Sequence, residues 1–227
     1  MIADEVSIYN LALNAVGARN NISLTTENSR EAEVCRLWYP VIRDQVLASA
    51  FWPSATAFKR LALLVERNSE ENWVNTDPAP GFAYIHSTPA DMLRPRYFAT
   101  FAPFALNSYP GDVVAISSNE QTPILTYTSR QTNIALWDSE LQLAIVYGLA
   151  ANVCMPLTGK PGRARTMLEQ ANTLIAAARE GSANTNSQQL EVIPDWIAAR
   201  GYNGGFTQTK FLYPFGSDLS VMTANVN

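Results

Sequence analysis

The sequence has 227 residues, 47% of them hydrophobic and 16% charged, so it can bury a sizeable core, and this composition argues against wholesale disorder. Its net charge of −4, with no run of Lys and Arg, argues against tight sequence-independent DNA binding. Two cysteines exclude a disulfide framework, and the N-terminus lacks the features of a signal peptide, so we expect a soluble protein made in a reducing cytoplasm.

Two amphipathic helices are predicted at the start of the chain. The first covers residues 4–16, with acidic residues in its first turn and Gly17 at its end. The second covers residues 29–50, with Ser29 as its cap and an expected kink at Pro40. Its core-facing stripe is predicted from apolar residues at helical spacing: Val34, Leu37, Trp38, Val41 and Ile42.

A small β-rich insertion is predicted over residues 55–135. Its strands are short segments rich in β-branched and aromatic residues and bounded by Pro, Gly or Asn: 58–65, 82–86, 113–116 and 124–128. Residues 88–93 favour one helical turn instead, because Thr88 can cap it and Pro89 suits its first position.

A helical hairpin is predicted over residues 138–181. Its first helix is apolar nearly all round, which indicates a buried helix, and the run is interrupted and too short for a membrane span. The second helix begins at Pro161 and ends at Gly181. Apolar residues recur on it at helical spacing: Ala164, Met167, Leu168, Ala171, Leu174, Ile175 and Ala178.

A small basic cluster is predicted where the second helix of the hairpin begins, at Lys160, Arg163 and Arg165. A solvated helix face is the favoured interpretation. The more specific alternative is that these residues contact another subunit or line a DNA channel.

The final stretch, residues 182–227, loses all long periodicity, and its first part is linker-like. Aromatic side chains are spread through the rest, which is rich in Gly and Asn: Trp196, Tyr202, Phe206, Phe211, Tyr213 and Phe215. We predict an arm whose aromatic residues contact a partner. The predicted fold class is thus α+β, mainly α: a helical bundle core (1–54 and 136–181), the β-rich insertion between helices 2 and 3, and an extended C-terminal arm.

No catalytic, cofactor or metal site is predicted. His86 is the only histidine and lies in a predicted strand, so a packing or hydrogen-bonding role is favoured over a catalytic triad. Carboxylates for glycoside hydrolysis are available, but they lie where solvated helix faces favour acids: Glu31, Glu33, Asp44 and Asp91. The glycine-rich residues 201–205 lack the Gly-Lys-Ser/Thr ending of a phosphate loop.

Several motifs, taken in order along the chain, resemble those of one known protein family. Residues 8–17 resemble its opening helix, and residues 35–47 followed by Phe51-Trp52 resemble its second helix. Residues 82–94 resemble its Tyr, Pro, Asp-x-Leu-Arg segment. The helix exit at 176–182, together with Pro194-Asp-Trp-Ile-Ala-Ala-Arg200, resembles the start of its arm. The family is the tail tubular protein A family of short-tailed phages, the head-to-tail adaptors; the resemblance covers most of residues 5–200, and residues 201–227 carry no family motif.

The resemblance implies a structural virion protein at the head–tail junction. It implies a homo-oligomeric ring of typically about twelve copies beneath the portal protein, with genomic DNA passing through the lumen without specific binding. The insertion would face the tail nozzle protein or a tail fibre, and no cofactor, membrane or catalytic activity is implied. Two alternatives stay open: a peptidoglycan-degrading tail protein, because some adaptors cleave peptidoglycan, and a generic oligomeric binding module.

Overall fold

A computed structural model describes residues 4–18, 20–67, 77–111 and 113–185, with only the backbone for residues 181–185. The helices in these ranges are α1 (Glu5–Val16), α2 (Arg30–Ser49), α3 (Ser139–Thr158) and α4 (Pro161–Thr185). The strands are β1 (Thr56–Arg60), β2 (Leu63–Glu66), β3 (Tyr84–Ser87), β4 (Met92–Phe98), β5 (Phe104–Tyr109), β6 (Val113–Ser118) and β7 (Ile124–Ser129).

The first two helices begin and end where the sequence predicts. The Asp4 side chain accepts the Ser7 N–H at the start of α1, and Gly17 ends that helix in the left-handed conformation, with φ 72°. Ser29 accepts the Ala32 N–H at the start of α2. This helix continues unbroken through Pro40, which is exposed on its outer side.

Helix α3 lies at the centre of the helical part of the chain and contacts α1, α2 and α4. Its fully buried residues include Leu141, Ile145, Leu149 and Val153, which recur every four residues. Each large aliphatic side chain removed from water in this way stabilises the fold by about 1.5–3 kcal/mol before ordering costs. This burial agrees with the prediction of a buried first helix in the hairpin.

The strands form two antiparallel sheets. The three-stranded sheet has the order β1-β7-β4, and the four-stranded sheet has the order β2-β3-β6-β5. Leu125 and Tyr127 of β7 and Phe98 of β4 pack with Ile116 of β6 in a small core, so residues of both sheets contribute to it.

The predicted fold class is wrong. The fold is α+β with four helices and two antiparallel sheets, and not a mainly helical bundle core carrying a small β-rich insertion. The β component is underestimated because the sequence pattern predicts no strand at β4 or β5. In β5, Asn107 and Ser108 interrupt the apolar pattern, and pairing with β6 decides the conformation. The division of the chain into domains stays a prediction.

Two further local predictions were wrong in this region. The helical turn expected at residues 88–93 is a turn closed by the Met92 N–H to the Pro89 carbonyl, and it leads into β4. Pro95 is tolerated there because β4 is an edge strand with a bulge. The single strand expected over residues 58–65 is two strands, β1 and β2, which belong to different sheets.

The last helix is longer than predicted. Gly181 does not end α4, which extends to Thr185. The predicted boundary between core and arm at residues 181 and 182 therefore falls inside this helix. Residues 186–227 lie outside the described part of the chain.

Candidate functional site

Helix α2 exposes two large apolar side chains that the sequence predicts to be buried. Leu37 is 69% exposed and Val41 is 55% exposed, whereas Ile42 is buried and Val34 and Trp38 are half-buried. The predicted core-facing stripe is therefore wrong for Leu37 and Val41. The apolar residues of α2 cover a wider part of the helix circumference than the part that faces the core. Leu37 and Val41 lie at the edge of this apolar part and are exposed to solvent.

Helix α3 also carries apolar residues on its solvent side. Leu143 is 41% exposed and Met155 is 51% exposed, and Tyr147 and Ala151 lie between them, half-buried. The four residues follow one another at intervals of four and therefore form one stripe along the helix.

Helices α2 and α3 pack closely and run antiparallel. An ideal Cβ on Gly148 would lie 2.9 Å from Ile42 Cγ2 and 3.8 Å from Val46 Cγ2, so Gly148 marks the closest approach. Near the start of α2, Arg30 Nη2 donates to the Pro156 carbonyl at the far end of α3, at 2.8 Å. The beginning of α2 thus lies beside the end of α3.

The two exposed stripes lie on the same side of this helix pair. The contact residues are Ile42 on α2 and Gly148 on α3. One position before them in the sequence lie Val41 on α2 and Tyr147 on α3. Five positions before them lie Leu37 on α2 and Leu143 on α3. Because each residue turns about 100° around a helix, corresponding offsets on two antiparallel helices point to one common side. We call this set of Leu37, Val41, Leu143, Tyr147 and Met155 the apolar α2–α3 surface.

An exposed apolar surface of this kind favours contact with another macromolecule. Scattered single apolar residues are normal on soluble proteins, but contiguous apolar surface marks interaction sites. Its residues come from two rigid helices, so contact with a partner would cost little ordering of the backbone.

The three residues of the predicted basic cluster have different contacts in the structure. Arg163 Nη1 donates to the Val16 carbonyl at 3.0 Å and thereby caps the end of α1. Arg165 forms an exposed ion pair with Glu169 at 3.0 Å, and Lys160 is exposed. Their role as a subunit or channel contact stays a prediction.

The predicted partner contacts in the arm lie outside the described residues. This applies to the whole aromatic set: Trp196, Tyr202, Phe206, Phe211, Tyr213 and Phe215. Their role also stays a prediction.

His86 is fully buried in β3. Its Nε2 lies 2.9 Å from the Glu120 carbonyl and 3.1 Å from Ser118 Oγ. Because a carbonyl oxygen only accepts, Nε2 carries the proton and cannot remove one from Ser118. The other ring nitrogen, Nδ1, is buried without a hydrogen-bond partner among the described residues. Burial lowers the pKa of His86, so the ring is held neutral in a hydrogen-bonding role.

Three of the four carboxylates considered for hydrolysis have other partners. Asp44 pairs with Arg43 and Arg130, each at 2.8 Å, and Asp91 accepts the Tyr127 hydroxyl at 3.1 Å. Glu31 accepts from the Asn20 amide at 2.9 Å. Within the described ranges, no group of three or more His, Cys, Asp or Glu side chains is placed to hold a metal ion.

A cavity of about 370 Å³ lies on the four-stranded sheet. Ile85, Leu106 and Tyr109 contribute to its lining, together with Asn107 and Ser117. Asn107 Nδ2 donates to Ser117 Oγ at 2.8 Å, so this polar pair is satisfied internally. The volume is at the lower end for small-molecule sites, and the lining singles out no ligand class.

Helix α3 is long and apolar enough to cross a membrane by length and composition. More than half of its apolar window is buried inside the structure, as in the core helix of a soluble protein. This is weak evidence for a membrane span.

Compared with the models of known protein families and with curated proteins, the chain matches none.

Proposed function

We propose that this protein is a structural virion protein, a head-to-tail adaptor that forms a homo-oligomeric ring at the head–tail junction. The ring joins the portal protein to the tail nozzle protein and to a tail fibre, and genomic DNA passes through its lumen without specific binding. The motif resemblance over residues 5–200 suggests the role. The apolar α2–α3 surface is the single structural observation that supports it.

The apolar α2–α3 surface is assigned to contact with a second copy of the chain. Leu37, Val41 and Met155 are each more than half exposed, and burying one such side chain stabilises a contact by up to about 1.5–3 kcal/mol before ordering costs. Because α2 and α3 are long helices packed side by side, they would also provide an extended surface against which a neighbouring subunit packs.

A closed ring needs a second, different face on each subunit, because head-to-tail contacts join two unlike surfaces. The outer side of α4 offers one: Leu168 is 49% exposed, and Asn172 and Ala176 follow it at intervals of four, both exposed. Leu168 would supply an apolar contact, and the short side chains of Asn172 and Ala176 allow close approach of another helix. We assign this face as the partner of the apolar α2–α3 surface.

The proposal is tested by electron microscopy of the protein mixed with the portal protein of the same virus. We expect ring-shaped particles attached to the portal. The double variant L37D/V41D should give no rings, because two carboxylates would be desolvated at the subunit contact. The matched control is L24D, since Leu24 is a similarly exposed leucine, 64% exposed, in the loop before α2 and is not a residue of this surface.

A truncated protein lacking residues 186–227 tests the arm separately. It should form weaker complexes with the portal while its helices and sheets stay folded. Equal portal binding by the truncated protein would contradict the arm's role. Wild-type protein that forms no ring with or without the portal would contradict the adaptor function itself.

A further inference from the structure

One face of the three-stranded sheet gathers aromatic and arginine side chains that are far apart in the sequence. Phe58 of β1 and Tyr97 of β4 both pair with Thr126 of β7, so all three side chains lie on the same face. Arg60 lies on that face by alternation along β1, and Arg94 lies there because it pairs with Thr128.

A bulge in β4 adds one more arginine to this face. The register shifts between Pro95 and Tyr97, so Arg96 is an extra residue in the strand. Arg96 Nε donates to Thr128 Oγ1 at 2.8 Å, which places its side chain on the same face as Tyr97. We call the set of Phe58, Arg60, Arg94, Arg96 and Tyr97, together with Phe101 that stacks on Tyr97, the arginine–aromatic face.

The end of α2 holds three arginines beside this face. The last carbonyls of a helix lack partners within the helix and carry its negative dipole end. Arg94 Nη1 donates to the Ala48 carbonyl at 3.3 Å, Arg179 Nε donates to the Ser49 carbonyl at 2.9 Å, and Arg96 Nη2 donates to the Ala50 carbonyl.

These arginines keep donors for a further ligand. A guanidinium has five N–H donors, and Arg94 and Arg179 each use one of them on a helix carbonyl while remaining exposed. No carboxylate of the described residues lies within 4 Å of Arg94, Arg96 or Arg179. The helix end therefore fixes their positions and offsets only part of their positive charge, which favours an anion as a further ligand.

Aromatic rings extend the same face outward. Arg96 lies over Phe51, Phe51 stacks on Tyr97, and Tyr97 stacks on Phe101 with ring centroids 5.3 Å apart. Phe101 is 49% exposed and has a φ of 57°, a left-handed conformation that residues other than glycine rarely adopt. Phe58 is 70% exposed, so two rings offer flat surfaces to solvent beside the arginines.

We propose that the arginine–aromatic face binds single-stranded nucleic acid without sequence preference, an activity beyond the proposed adaptor role. Fixed guanidiniums would contact the phosphates, and Phe58 and Phe101 would stack on unpaired bases. A duplex hides the faces of its bases and an acidic peptide has none, so the exposed rings favour a single strand. Three arginines on this face, with Arg179 beside it, also suit a protein whose net charge is negative, since few phosphates would be neutralised.

The proposal is tested by fluorescence anisotropy of the full chain with a labelled oligodeoxythymidylate. Raising the salt from about 50 to 200 mM should weaken binding roughly twenty- to fifty-fold, because three or four phosphates are neutralised on a single strand. The variant F58A should lose about fivefold or more in affinity, since one stacked base is lost. R60Q should lose affinity and lower the salt slope by about 0.7.

The matched control is K59Q. Lys59 has the same charge and neighbours Arg60 on β1, but it pairs with the core residue Leu125 and therefore lies on the opposite face. Phe58 and Arg60 are exposed and contact no helix carbonyl among the described residues, so their variants should stay folded. The proposal is overturned by no binding at about 50 mM salt, by equal losses in K59Q and R60Q, or by equally tight binding of duplex DNA or polyglutamate.

Discussion

The Arg163 guanidinium, at the start of α4, donates to the Val16 carbonyl at 3.0 Å, although the two residues lie 147 positions apart. The same side chain lies against Gly17, where an added Cβ would approach Nη1 to 2.5 Å. One arginine therefore fixes the end of α1 to the beginning of α4.

Replacing Arg163 should destabilise the fold. R163A removes a charged donor from a helix carbonyl, and we expect the free energy of unfolding to fall by about 1–3 kcal/mol. R165A is the control, because the exposed Arg165–Glu169 pair contributes about 0.5 kcal/mol or less. Urea unfolding followed by circular dichroism measures both variants, and equal losses would contradict this role for Arg163.

The close approach of α2 and α3 should make Gly148 sensitive to a single methyl group. Alanine is favoured over glycine in a helix by about 1 kcal/mol, but its Cβ would overlap Ile42 Cγ2. We expect G148A to destabilise the protein by about 1–3 kcal/mol, because an overpacked contact forces the helices apart.

A double-mutant cycle separates the overlap from helix propensity. In the I42A background, which lacks that methyl group, G148A should be neutral or stabilising. An identical loss in both backgrounds would show that the Gly148–Ile42 contact is not the cause.

The stability of the protein should fall as the pH falls through the range where histidine titrates. Burial lowers the pKa of His86 in the folded state below its value in the unfolded chain, which is about 6.5. Below that pH the unfolded state binds a proton that the folded state does not, so unfolding becomes easier, by at most about 1.4 kcal/mol per pH unit. Above about pH 7.5 the His86 ring is neutral in both states, so its stabilising effect on the folded state is fully present.

Urea unfolding between about pH 8 and pH 5 tests this dependence. The variant H86Q keeps an amide donor but has no titrating ring, so its stability should vary less over this range. Parallel pH profiles for the two proteins would contradict the assignment of the effect to His86.

The thiol of Cys35 should react slowly in the folded protein. Burial raises the pKa of Cys35 to about 12, so almost no thiolate exists near neutral pH. We expect an aromatic disulfide reagent to modify Cys35 at the rate of unfolding in native buffer and rapidly in urea. The measurement uses the variant C154S, which removes the other thiol, and rapid native modification of this variant would contradict the protection of Cys35.

Local signals in the sequence predict the helices well. The caps at Asp4 and Ser29 and the left-handed Gly17 each depend on nearby residues, so their positions can be inferred without tertiary structure. The conformation of β4 depends on pairing with the distant strand β7, so the short Thr88-Pro89 signal favours the wrong local structure. In β5 the polar residues Asn107 and Ser108 interrupt the apolar pattern, although the strand pairs with its neighbour β6.

The candidate surfaces are harder to predict from sequence. The apolar pattern of α2 includes Leu37 and Val41, but the pattern alone does not tell which edge of the arc reaches the core. The arginine–aromatic face is also absent from any sequence pattern, because strand register and a bulge bring Arg60, Arg94 and Arg96 to one face.

Sedimentation velocity of the wild-type protein, L37D/V41D and L24D tests directly whether the apolar α2–α3 surface joins subunits. We expect wild type and L24D to form larger species as concentration rises, whereas L37D/V41D should stay a folded monomer at every concentration. Equal assembly of L37D/V41D and wild type would contradict the assignment of the apolar α2–α3 surface as the subunit contact.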